Sequence, residues 1–278
     1  MASAWSILRD ARYALPRQVE RLAPAPGVQA AARMVARLER RGLLGTVGYF
    51  NGGEEPAAQV AATDMAVCQA LGGARGHCLA VKAPPLGFSP AHLHAIAQSA
   101  QAAGIAMVFD AHGPDHAQAT LDAVEALLPG HPGTGCALPA RWQRSMADAA
   151  RFRDSGARLR LVKGEWADPQ RDVDDVSGNF LVLAAALAGR AAPVAVATHD
   201  PALARAALEL LLAAGTPCEL EQLRGLPRRR TTAVARKLGV PVRVYVPFGP
   251  GWWPYAVDKA LARPYLPIWA LKDWVGRD

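Results

Sequence analysis

The chain has 278 residues, a length that can form one large core without a second domain. Apolar residues make up 51% and charged residues 20%, a water-soluble globular balance, and no stretch approaches the ~20 uninterrupted apolar residues of a membrane span. The net charge of +7 admits a phosphate or nucleic-acid patch, but its densest run, Arg228-Arg229-Arg230, carries no interleaved aromatic residue and reads in preference as a solvated helix face, so no nucleic-acid partner is expected.

The first ten residues, Met1 to Asp10, show neither a continuous apolar core nor a processing site, so no secretory leader is expected. One or two helices follow, the clearest over 28–41. They form an N-terminal helical segment, 1–44, packed on the bottom or side of a second unit, 45–278. That unit alternates strands and helices. Short β-favouring runs fall near 46–50, 78–82, 105–110, 135–138, 159–163, 194–198, 218–222 and 242–246. Ala- and Leu-rich helical patterns lie between them, over 55–71, 90–103, 115–128, 143–154, 179–188, 201–214 and 229–238. Glycine or proline marks most junctions, as at Gly72-Gly73, Pro84-Pro85, Pro129-Gly130 and Gly239-Val240-Pro241. This alternation implies a parallel sheet, and eight units favour closure. The predicted fold class is α/β: a (β/α)8 barrel, regular or distorted. Asn51-Gly52-Gly53 after the first strand is a plain turn, not a dinucleotide fingerprint. Cys68, Cys78, Cys136 and Cys218 form no Cys-x-x-Cys pair, which fits a reducing, cytoplasmic compartment without structural zinc.

Chemistry in such barrels sits at the C-terminal ends of the strands. Those ends present Asn51, Lys82, Asp110 with His112, Arg141, Lys163 with Glu165, His199 with Asp200, Gln222 with Arg224, and Tyr245. A metal centre is disfavoured. His92 and His94 fall at a helix start, where side chains two apart diverge, and Asp110-x-His112 lacks clear companions. A Schiff-base lyase or aldolase using Lys163 or Lys82 suits the position, though a lysine there is not specific to that chemistry. A non-catalytic barrel, its mouth blocked by its own side chains, is the third possibility.

One set of motifs separates these. Arg160-Leu161-Val162-Lys163-Gly164 resembles the R-L-V-K-G strand of the FAD-dependent proline dehydrogenase family. Ala197-Thr198-His199-Asp200 is similar to its A-T-H-N strand end, and Glu219 to Gly225 to its F-E-F-Q-x-L-x-G segment. Tyr245-Val246-Pro247-Phe248-Gly249, with Trp252, Trp253, Pro254 and Tyr255 after it, resembles Y-x-P-[YV]-G and the following helix. Val81-Lys82 and Asp110-Ala111 resemble two earlier strand ends. The resemblance covers residues 78 to 262 in family order.

It implies FAD over the barrel mouth, with Arg160, Val162, Lys163, Gly164, Thr198 and His199 holding it. It implies a pocket lined by Lys82, Asp110, Leu223 and Tyr245, in which proline, or in preference a related cyclic or secondary amine, is oxidised to an imine. A quinone or another acceptor would take the electrons. Two departures stand out. The family's paired arginines, which clamp the substrate carboxylate, align with Asp258 and Lys259, and its glutamate three residues later aligns with Ala262. A lysine offers a point charge where a guanidinium offers two parallel bonds, and Asp258 would repel a carboxylate. Pro139 stands where the family's flavin-contacting glutamine is expected, and Glu165-Trp166 replaces alanine-tyrosine. The C-terminal stretch holds Trp252, Trp253, Tyr255, Tyr265, Trp269 and Trp274 among Lys259, Arg263 and Lys272. A lid over the mouth is preferred there to a peripheral contact with the inner membrane face.

Overall fold

A computed structural model describes residues 25–73, 76–168 and 171–252. Asp258, Lys259 and the aromatic, basic stretch beyond Trp252 lie outside the described residues. So do residues 1–24 of the expected N-terminal segment.

Eight parallel strands close into a barrel in sequence order. They are β1 (Leu44–Tyr49), β2 (Cys78–Val81), β3 (Ala106–Phe109), β4 (Thr134–Pro139), β5 (Arg158–Val162), β6 (Val194–Ala197), β7 (Cys218–Leu223) and β8 (Val242–Phe248). Helix α1 (Val28–Glu39) precedes β1. Between the strands run α2 (Ala57–Leu71), α3 (Pro90–Ala103), α4 (Ala117–Leu127), α5 (Ser145–Phe152), α6 (Val176–Ala186), α7 (Pro201–Ala213) and α8 (Arg229–Lys237). The expected strands and helices are present, with ends shifted by a few residues. The helix expected over 115–128 is divided: Pro114 opens a 3-10 turn (Pro114–His116), and α4 starts only at Ala117.

Local chemistry sets the helix starts. Asp200 caps α7, its Oδ1 accepting the N–H groups of Ala202 and Leu203, and Pro201 follows at a position that needs no donor. Ser89 and Pro90 do the same for α3, which places His92 and His94 in its first turns. Helix α1 packs on β1 and β8, where the barrel closes, burying Ala31, Val35 and Leu38.

Strand residues alternate between two environments. Val47, Leu79, Met107, Phe109, Leu138, Leu159, Leu161, Val196, Leu220 and Val244 are buried against the helix layer and form the apolar core. The register puts Gly48, Ala80, Gly135, Ala137, Ala195 and Ala197 on the other face, with Arg158, Arg160, Glu219, Glu221, Arg243 and Tyr245. The interior of this barrel is therefore filled by long charged side chains set against small ones, rather than by the branched apolar layers usual in the fold.

Candidate active site

Five of the interior side chains form one connected cluster just below the C-terminal mouth. Lys82 and Asp110 stand one residue past the ends of β2 and β3, and Arg160, Glu221 and Tyr245 rise from within β5, β7 and β8. Lys82 Nζ donates to Asp110 Oδ2 at 3.1 Å and to the Tyr245 hydroxyl at 3.2 Å. That hydroxyl donates to Asp110 Oδ2 at 2.7 Å. Arg160 Nη1 donates to Asp110 Oδ1 at 2.6 Å, and its Nε donates to Glu221 Oε2 at 2.8 Å. Lys82 Nζ also lies 4.0 Å from the centre of the Phe50 ring, within cation–π range. Gly48 makes the arrangement possible: a β-carbon there would run into the Tyr245 hydroxyl.

The charges in this cluster are locked. Burial alone would raise the Asp110 carboxyl, but the Lys82 ammonium, the Arg160 guanidinium and the Tyr245 hydroxyl bring it down to about 2. Tyr245 is pushed well above its ordinary range by burial and by Asp110. Burial works against the Arg160 charge, and Glu221 and Asp110 more than restore it. Two buried atoms of this cluster have no hydrogen-bond partner among the described residues: Arg160 Nη2 and Glu221 Oε1.

Above the cluster opens a cavity of about 760 Å³, walled by Phe50, Trp142, Trp166, Leu223, Leu226 and Trp252. Val162, Lys163, Gly164 and His199 also border it. His199 Nδ1 lies 2.7 Å from the Pro227 carbonyl oxygen, and its Nε2 accepts the Leu223 N–H at 3.0 Å. A carbonyl can only accept and an amide N–H can only donate, so the proton is on Nδ1 and the ring is neutral. Its two nitrogens are engaged with the end of β7 and the loop after it. Lys163, half-exposed, stands 3.8 Å from Asp200. Gly164 has a left-handed backbone, and a β-carbon there would press on Pro139 and Arg141 at 2.8 Å. Arg141 grips Asp172 through Nε and Nη2 and holds the Glu165 carbonyl, which straps down the loop carrying Trp166.

Not every expected strand-end residue faces the mouth. Gln222 is buried on the opposite side of β7, bonded to Thr231 and Thr232 of α8, because the two-residue alternation that turns Glu221 and Leu223 inward turns Gln222 outward. Thr198 does not border the cavity; its Oγ1 accepts the Asp200 N–H. Tyr245 sits three residues before the end of β8, so it belongs to the barrel interior rather than to the rim. His112 borders the cavity, stacked on Trp166 with ring centres 6.2 Å apart, and burial together with Lys82 lowers its pKa to about 4. Sequence reasoning missed Glu221, although its alternation with Leu223 was a readable signal. It also missed Phe50, Gly48 and Trp142.

A sequence model of the family described as "Proline dehydrogenase" matches residues 31–251. The chain is 27% identical over 264 residues to Proline dehydrogenase 1 of Bacillus subtilis, both in strain 168 and in subspecies natto, covering 88% of this chain and 86% of each relative. Among solved structures it is similar to proline utilization A from Bdellovibrio bacteriovorus, with a TM-score of 0.74, 17% identity and 85% of this chain covered. It spans only 32% of that longer chain, and the likeness there is one of fold.

Proposed function

The chain belongs to the proline dehydrogenase family, and from that premise we propose that it is a flavin-dependent oxidoreductase acting on the CH–NH group of proline or a related cyclic or secondary amine. FAD is the cofactor, and a quinone or another acceptor receives the electrons. The observation that carries this reading is the cluster of Lys82, Asp110, Arg160, Glu221 and Tyr245 under an open, apolar-walled cavity.

The residues suit a flavin. Arg160 borders the cavity, and its buried Nη2 donor has no partner among the described residues, a feature that suits a group completed by an electron-rich ligand. Arg160, Val162, Lys163, Gly164 and His199 border the space in which FAD would be held, and Thr198 supports the loop beside it. FAD, when bound, supplies the acceptor for the hydride that leaves the carbon next to the amine nitrogen.

The chain's own groups position rather than titrate. Asp110, held near 2, is too weak a base to accept an amine proton at neutral pH. Its work is to orient Lys82, Tyr245 and Arg160, from each of which it accepts a hydrogen bond. Leu223 and the Tyr245 ring give a saturated ring apolar contact, which reduces the orientational freedom the reaction must overcome. Lys82 provides a cation for a substrate carboxylate. The preference for an amine without a free carboxylate rests on Asp258 and Lys259, beyond the described residues.

The geometry favours this over a Schiff-base lyase. Lys82 directs its donors at a carboxylate, a phenol and an aromatic face, the surroundings of a charged ammonium rather than of a free amine. The open cavity likewise disfavours a blocked, non-catalytic barrel. No helix among the described residues is long and apolar enough to cross a membrane; a cytoplasmic enzyme, touching the inner membrane face at most peripherally, fits the proposal.

The visible spectrum of the purified protein tests it. Flavin bands are expected, weakened in Arg160→Ala, together with anaerobic bleaching by a cyclic secondary amine and slow or undetectable bleaching by millimolar proline. Colourless protein that takes up no FAD on titration overturns the proposal. Fast, complete bleaching by proline overturns the substrate preference alone.

A further inference from the structure

We infer that Glu221 is a positioning residue for Arg160: it holds the guanidinium edge-on and cancels the charge that Arg160 would otherwise add to the cavity floor. The inference rests on the flavin reading above for its second half only.

Three observations support it. Arg160 is buried inside the barrel, with its side chain 5% exposed, and it is gripped at two of its three nitrogens by carboxylates from different strands. Asp110 takes Nη1 and Glu221 takes Nε, which leaves Nη2 as the nitrogen without a partner. A planar guanidinium fixed at two corners has its third corner fixed as well. The Tyr245 ring completes the hold, 5.4 Å from Arg160 Cζ. Of the two carboxylates, Asp110 is shared with Lys82 and Tyr245, whereas among the described residues Glu221 gives its Oε2 to Arg160 alone.

The second half is electrostatic. Lys82 and Arg160 are balanced by Asp110 and Glu221, so the cluster is neutral as a whole. Removing the Glu221 charge leaves one uncompensated cation below the mouth. In a buried site such a charge acts strongly on a ligand that gains electrons. Glu221 therefore limits how far the floor favours the reduced over the oxidised flavin. It makes Arg160 available without making it an unopposed cation.

The test uses the full chain, with and without FAD, and two variants. In the FAD-free protein, the Arg160 Nε–H should give a slowly exchanging amide-region NMR signal, to be assigned by its loss in Arg160→Lys. Glu221→Ala should abolish its protection. Glu221→Gln keeps an acceptor but weakens the bond, and should speed exchange about tenfold, as expected when a charge-assisted bond becomes a neutral one. In the FAD-loaded protein, Glu221→Gln should favour the reduced flavin at least tenfold at a fixed poise, about 30 mV for two electrons. Parent-like exchange in both variants would show that Asp110 holds Arg160 unaided and would overturn the positioning role. A parent-like midpoint in Glu221→Gln would overturn the charge role. If Glu221→Ala does not fold, the glutamine variant decides both. If no form binds FAD, the flavin reading fails and the charge role with it, while the exchange measurement still decides whether Glu221 holds Arg160.

Discussion

Replacing Asp110 by asparagine tests the centre of the cluster, because three of its hydrogen bonds converge on this one carboxylate. It accepts from Lys82 at 3.1 Å, from Tyr245 at 2.7 Å and from Arg160 at 2.6 Å. Asparagine is nearly the same size, so the change removes charge and one acceptor without opening a cavity. Lys82 and Arg160 would then share Glu221 as their remaining nearby anion. Breaking a buried pair from one side costs about 3–5 kcal/mol. An independent route gives a similar size. Asp110 is held at about 2 against an ordinary carboxyl value of 3.8, and a depression of that order corresponds to a stability contribution on the order of 2–3 kcal/mol. The sign follows from the depression: the contribution is complete above the unfolded pKa, near pH 4, and is lost as pH falls through 2. In a chain of this length the expected fall in melting temperature at pH 7 is about 10 °C. Thermal unfolding followed by circular dichroism, with parent and variant side by side from pH 7 down to pH 2, measures it. The gap should narrow below pH 4. A variant that melts with the parent at pH 7, or a gap that stays constant to pH 2, would refute the reasoning.

Asp64, buried on α2 with Oδ1 lacking a partner, is the opposite case: burial pushes its carboxyl up to about 8, so the folded protein holds a proton that the unfolded chain releases near pH 4. Its contribution is complete below pH 4 and is lost as pH rises through 8, so Asp64→Asn should be neutral at pH 4 and stabilising by on the order of 2–4 kcal/mol at pH 8, read from paired melts; equal melting at both pH values would contradict this. Gly48→Ala should drive the Tyr245 hydroxyl off Asp110. A stability loss of about 1–3 kcal/mol and a slowed flavin reduction are expected, and normal reduction kinetics in that variant would show that the Tyr245–Asp110 bond is dispensable.

The barrel was legible because the signals that specify it are local and repeated. Short β-favouring runs, Ala- and Leu-rich helices and glycine or proline junctions recur eight times, and each recurrence reinforces the same closed arrangement. The positions of Lys82 and Asp110 followed from the same pattern, since both stand just past short apolar strands. What the pattern did not convey is which way a charged residue inside a strand points. Glu221 and Gln222 are adjacent, polar and near a strand end, and strand polarity alone gave the mouth to Gln222. The decision is made by partners remote in sequence: Arg160 across the barrel for Glu221, and Thr231 and Thr232 on α8 for Gln222. Gly48 was illegible for a related reason. Its small size matters only because Tyr245, from a strand at the far end of the chain, occupies the place of its side chain.

The charged interior has two levels, and the difference between them argues for where chemistry occurs. At the lower level Arg243 donates to both oxygens of Glu219 and to the backbone carbonyls of Gly45 and Gly76, four bonds in all. Arg158 pairs with the same glutamate. Such a group is tied to backbone that cannot move without opening the sheet, and it does not border the cavity at the mouth. It closes the bottom of the barrel. The upper level is made of similar residues, from the same strands, two positions further along. There Arg160 makes two bonds instead of four, its third nitrogen has no partner among the described residues, and the residue borders the cavity. Leaving a buried guanidinium donor unmade costs about 1–3 kcal/mol. Glu221 and Glu219 lie on the same face of β7, yet only the lower one holds an arginine whose remaining donors reach backbone carbonyls. The stability forgone at Arg160 has a physical rationale if a ligand completes the bonds, and Arg243 shows that the same fold can complete them without one.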